Sequence, residues 1–89
     1  MSTWMAVRHT CQDFDAWKPV FDRGLGLRQE HGAISEMVFR DGNDVMVLVE
    51  FPDAGSQESF QGDPRLRQDM LDAGVLGAPT VSGPWDKVS

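Results

Sequence analysis

Five consecutive residues, Val45-Met46-Val47-Leu48-Val49, constrain this chain more than any others. They lie in an apolar run ending at Phe51 and read as a strand. Successive strand side chains point to opposite faces, and here both faces are apolar. A strand of that kind is buried on both sides. The strand before it behaves alike: Met37 and Phe39 point one way, Ile34 and Val38 the other. Any fold for this chain must therefore cover two faces of one sheet.

The rest of the pattern covers one face. Residues 3–11 read as a first strand. Asp13 offers a helix N-cap, and Phe14, Trp17, Val20, Phe21, Gly24 and Leu25 recur at helical spacing through Glu30. Pro19 suits a first helical turn, which places a short turn at Asp13 and the main helix from about Lys18. Gly24 and Gly26 weaken the second half by about 1 kcal/mol each relative to Ala, so it is expected to bend or fray. Residues 33–40 and 45–51 make two strands around the turn Asp41-Gly42-Asn43-Asp44, a β-hairpin. From Ala54 to about Ala73 the pattern is helical, with a break at Gly62-Asp63-Pro64 and Phe60, Leu66, Met70 and Leu71 inside. Gly74, Gly77 and Pro79 are expected to stop this helix, and Thr80 to Val88 to form the last strand.

The order is β-α-β-β-α-β. It predicts one α+β domain over residues 1–89, ferredoxin-like, with a four-stranded antiparallel sheet and two helices on one face. The second face then falls to another copy of the chain. A homodimer packed sheet to sheet about a two-fold axis, a dimeric α+β barrel, is the economical answer for 89 residues.

Charge narrows the partners. Eight Lys and Arg against fourteen Asp and Glu give a net charge of −6. Nucleic acid and anionic membranes need a positive surface, so neither is expected as a partner. No apolar run approaches the length that spans a bilayer, and the N-terminal residues do not read as a secretory signal. A cytoplasmic protein is expected. The single cysteine, Cys11, excludes an internal disulfide and reads as a small buried hydrophobe.

The element order, the stretch Asp13-Phe14-Asp15-Ala16-Trp17-Lys18 after the first strand, and Met70-Leu71-Asp72-Ala73-Gly74-Val75 with Pro79 before the last resemble the dimeric α+β barrel superfamily. Within it, the chain is most similar to the small antibiotic-biosynthesis-monooxygenase-like and polyketide-cyclase-like proteins. The resemblance implies a cofactor-independent enzyme of aromatic or polyketide-type metabolism, either a monooxygenase or a cyclase or isomerase. The monooxygenases of that group line their clefts with Asn, Trp, His or Arg. This chain departs from them in its Asn, since Asn43 is the only one and lies in the hairpin turn.

The candidate residues follow from position. His9, near the end of the first strand, shares a face with Met5, Val7 and Cys11, and a neutral imidazole at an apolar cavity takes or gives a proton near pH 7. Arg40, at the hairpin end, is the candidate to stabilise an oxyanion. Trp85, Trp17, Phe39, Phe60 and Met70 are the candidate walls for a flat phenolic substrate. His31 closes the first helix, where the dipole favours a cation, and a structural role suffices. No His, Cys or carboxylate spacing points to a metal, and no glycine-rich loop points to a phosphate-bearing cofactor, so none is expected. The alternative reading is a non-catalytic dimer that binds a small molecule or a protein.

Overall fold

The computed structural model describes all residues, Met1–Ser89. The elements are β1 (Thr3–Cys11), α1 (Phe14–Arg23), α2 (Leu25–Glu30), β2 (Ser35–Asp41), β3 (Asp44–Phe51), α3 (Ala54–Gln61), α4 (Pro64–Asp72) and β4 (Val75–Trp85). The four strands form one antiparallel sheet in the order β2-β3-β1-β4. This is the ferredoxin-like plan with each of its two helices broken once.

Both breaks have local causes. The Asp13 carboxylate accepts the Asp15 N–H at 3.1 Å and starts α1. Gly24 ends it, as the cost of glycine in a helix predicts. The second break is the one expected at Gly62-Asp63-Pro64: Asp63 caps α4 through the Arg65 N–H at 2.9 Å, and Pro64 takes the first position, where its missing N–H costs nothing.

Three expectations are corrected. The first helix begins at Phe14 and not near Lys18, so Pro19 lies in its interior. Pro19 is exposed, and the carbonyl it leaves unbonded on that side can be hydrated. The last strand begins at Val75, five residues before Thr80. Gly74 alone ends α4, with φ at +77°. Gly77, at φ +70°, and Pro79 sit inside β4, which is an edge strand and tolerates a proline and a bulge. Leu71, expected inside, is exposed on α4.

The core lies between the helices and one sheet face. Met5, Val7, Cys11, Val45, Val47, Val49 and Phe51 rise from the sheet to meet Trp17, Phe60 and Ala73. The opposite face carries Trp4, Ala6, Met37, Phe39, Met46, Leu48 and Trp85, and no element of the chain covers it. Phe39 and Met46 are directly paired across β2 and β3, and are 47% and 37% exposed. The both-face apolar pattern of β3 is thus half accounted for within one chain.

Candidate functional site

Between the helical layer and the sheet lies a cleft of about 680 Å³ with its open mouth included. Its enclosed part is about 80 Å³, smaller than a usual small-molecule site, so a bound molecule extends into the mouth. Fourteen of its nineteen lining residues are hydrophobic, so a bound molecule must be mostly apolar. The few polar groups, His9, Arg28, Gln61 and Asp69, then carry any specificity.

His9 projects from β1 into the cleft because it keeps the alternation of Met5 and Val7. Its imidazole lies 5.5 Å from the Trp17 ring, tilted by 47°. Neither ring nitrogen has a hydrogen-bond partner, though both are buried. A buried polar group without a partner is costly and calls for an explanation. Burial also holds the imidazole pKa below its ordinary 6.5, because the charged form loses its water. His9 is therefore a neutral base facing an apolar space. Opposite it the β1–β4 register shifts between Arg8 and Thr10, and a shallow groove on the other side of the sheet, lined by Arg8, Thr10, Asp44 and Thr80, also reaches His9.

Trp17 belongs to an aromatic column on α1. Phe14 and Phe21 stack on either side of it, with ring centroids 5.5 and 4.9 Å away. A cation closes each end: the Arg40 guanidinium lies 4.1 Å from the Phe14 ring centre, and that of Arg28 lies 3.9 Å from Phe21. Such contacts hold a planar cation against a ring face.

Of the residues singled out in the sequence, His9, Trp17, Phe60 and Met70 meet in the cleft. Three do not line it. Arg40 caps the column from the hairpin, and its Nε donates to the Gly42 carbonyl at 3.0 Å. Phe39 and Trp85 lie on the uncovered sheet face, where Trp85 pairs with Trp4 across the strands. Alternation with Met37 decides Phe39, and the register shift between Ser82 and Trp85 turns Trp85 to the side of Trp4. Asn43 is structural, since its side-chain oxygen accepts the Phe14 N–H at 3.0 Å and its amide donates to the Gln12 carbonyl at 3.3 Å.

Arg28, Gln61 and Asp69 are the polar lining residues that the sequence reading overlooked, and Arg28 is the most buried of them. It is only 6% exposed. Its Nε and Nη2 donate to the Glu36 carboxylate at 2.6 and 3.3 Å, which compensates the buried charge. The signal was present: Trp17, Phe21, Gly24 and Arg28 form one helical stripe, and a charged residue on such a stripe faces the interior.

His31 closes α2 and joins three helices. Its Nδ1 lies 3.0 Å from Ser59 Oγ and its Nε2 lies 2.9 Å from Asp63 Oδ2. The Ser-His-Asp order lacks the parts of a hydrolytic triad: Ser59 is inside α3, where helical hydrogen bonds consume the backbone donors an oxyanion needs. Glu30 joins His31 and Asp63 in a cluster with metal-ligand potential. Arg65 bridges Glu30 and Asp63, so a cation already neutralises it. These contacts hold the Asp63 carboxyl well below the usual carboxylate range, Arg65 contributing most and His31 next. The group is a clamp between helices.

SnoaB, a cofactor-independent oxygenase from Streptomyces nogalater, superposes with a TM-score of 0.75 at 12% identity, covering 98% of this chain and 96% of that one. The chain has the ferredoxin-like fold of the antibiotic-biosynthesis-monooxygenase-like proteins. Rv0793 from Mycobacterium tuberculosis gives a TM-score of 0.66 at 19% identity over the full length of both chains. The ActVA-Orf6 monooxygenase of Streptomyces coelicolor, solved with nanaomycin D, gives 0.61 at 17%, covering 90% of this chain and 83% of that one. No protein-family model matches the sequence. No curated protein matches it either. The likeness lies in the arrangement of the chain.

Proposed function

We propose that this protein is a small cofactor-independent enzyme acting on a flat phenolic molecule held in the cleft, with His9 as general base. The observation that carries the reading is the His9 imidazole, buried, neutral and without a partner, against Trp17 in an otherwise apolar space. A phenol or an acidic C–H placed there supplies the missing hydrogen-bond partner and gives up its proton to the ring. Trp17, Phe60 and Met70 provide faces for an aromatic ring and exclude water. SnoaB and ActVA-Orf6 share the fold and are an oxygenase and a monooxygenase, which supports a reaction with oxygen.

For an anthrone-type substrate the step balances without a cofactor. His9 removes a proton from the central CH2, and the carbanion passes electrons to O2. One oxygen atom becomes the new carbonyl, and the other leaves as water with the two hydrogens of the CH2. Without oxygen the same deprotonation leads to ring closure or a proton shift. Aerobic incubation with anthrones, hydroxynaphthoquinols and linear polyketide mimics, followed by mass spectrometry, separates these. Gain of oxygen assigns a monooxygenase, and an isobaric or dehydrated product a cyclase or isomerase. Binding without conversion assigns a non-catalytic binding module, a reading favoured by one observation: no side chain hydrogen-bonds His9 to orient it.

The protein also acts as a homodimer in this reading. Met37, Phe39, Met46, Leu76 and Trp85 expose a broad apolar sheet face that a second copy covers by the same face. The dimer buries the outward half of β3, which its sequence requires.

A further inference from the structure

We propose that Arg40 is a positioning residue for His9, acting through the stacked rings of Phe14 and Trp17. The inference rests on the reading of His9 as the base, and adds what holds that base in place. A general base is ordinarily oriented by a third group through a hydrogen bond. His9 has no such bond at either nitrogen. The ring that meets its imidazole is the Trp17 indole, 5.5 Å away. The orientation of the base therefore depends on where that indole is held.

Trp17 is the middle ring of three, inclined by 22° to Phe14 and by 13° to Phe21. Stacked rings tolerate a range of offsets, so the stack alone does not fix the indole. A cation grips each end, Arg40 on Phe14 and Arg28 on Phe21. Each cation is itself anchored. Arg40 Nε donates to the Gly42 carbonyl at 3.0 Å, and Arg28 Nε to the Glu36 carboxylate at 2.6 Å. Arg40 and Glu36 both belong to β2, and their even spacing puts them on one side of it. One strand of the sheet thus fixes both ends of the helical stack, and the ring between them faces His9. Arg28 also lines the cleft, whereas Arg40 does not. Arg40 can therefore be changed without altering the wall that a ligand touches.

The test reads the His9 ring protons by NMR in the full, ligand-free chain at pH 8. The chain has two histidines, and His9→Gln assigns the His9 signals by removing them. The ring current of the neighbouring indole displaces these signals, so they report its place. Arg40→Met keeps an apolar stem and removes the guanidinium. It is expected to move the His9 signals, while Arg67→Met, the same charge change at an exposed position on α4, leaves them in place. Phe14→Leu should move them too. Arg40→Met added to Phe14→Leu should move them no further, because the two act in series. On the substrate that the product screen identifies, Arg40→Met should lower kcat about tenfold or more with KM unchanged, since a misplaced base slows the chemistry and not binding. Unmoved signals in Arg40→Met overturn the positioning role and leave the proposed reaction standing, because no substrate enters that measurement. Equal movement in Arg67→Met overturns it in favour of a long-range effect of charge. Additive movement in the double variant overturns the route through Phe14. Moved signals with an unchanged kcat overturn it as well. Should Arg40→Met fail to fold, Phe14→Leu decides alone, and unmoved signals there overturn the proposal. A rate insensitive to His9→Ala overturns both this role and the base it serves.

Discussion

The His9 imidazole and the Trp17 indole face each other 5.5 Å apart in the cleft, and no other group hydrogen-bonds the imidazole. In the proposed reaction these free nitrogens take the proton of the substrate. His9→Ala is expected to lower turnover by about 10²-fold or more, the usual size of a general-base contribution. The circular dichroism spectrum should be unchanged. Steady-state rates on whichever substrate the product screen identifies decide the point, and an unaltered rate removes His9 from the mechanism.

Burial lowers the His9 pKa, so its neutral form persists below pH 6.5. In kcat/KM the acid limb assigned to His9 should fall below that value. Stability is linked in the same direction. The unfolded chain takes up a proton near pH 6.5 while the folded chain resists it. The His9 contribution is therefore complete above pH 6.5 and is lost as pH falls toward the folded value. Denaturant titrations between pH 5 and 8 should show this slope, and His9→Phe should flatten it.

The clamp responds at lower pH. Asp63 has its pKa depressed by Arg65 and His31, so its contribution is full above the ordinary carboxylate value of 3.8 and is lost as pH falls toward the folded value. Asp63→Asn is expected to lower the melting temperature at pH 7 and to narrow the gap between pH 7 and pH 3. Differential scanning fluorimetry at the two pH values measures both.

Phe51 is fully buried, with its ring 5.6 Å from that of Phe60. Phe51→Ala should cost about 3–5 kcal/mol. Domains of this kind have only about 5–15 kcal/mol in total, so the variant should be marginal in urea unfolding at room temperature.

The uncovered sheet face predicts the assembly. The wild-type chain should run at twice its 9.9 kDa in light scattering, and Phe39→Glu with Met46→Glu should run as a monomer. A wild-type monomer at micromolar concentration would refute the sheet-to-sheet dimer. The buried Cys11 thiol, its pKa pushed up mainly by burial, should resist alkylation at pH 8 until the chain unfolds.

Element order, the Asp13 cap, the weakening of the first helix at Gly24, the break at Gly62-Asp63-Pro64 and the hairpin at Gly42-Asn43 were legible in the sequence, because each depends on the neighbours of a few residues. Alternation also placed His9 with Met5 and Val7. What lay beyond reach was set by partners distant in the chain. The early start of β4 depends on Gly77 and Pro79 finding an edge beside β1. Arg40 sits on Phe14 because the hairpin end packs against the start of α1. The helical stripe of Trp17, Phe21 and Gly24 marks Arg28 as inward, but its partner Glu36 on β2 lies outside any such stripe. Local pattern determined which elements form and which face most side chains of β1, β2 and β3 take, but not that of Trp85 beyond the register shift of β4. Only the packing of helices on the sheet decided which polar groups share one apolar space, because that depends on pairings no local window contains.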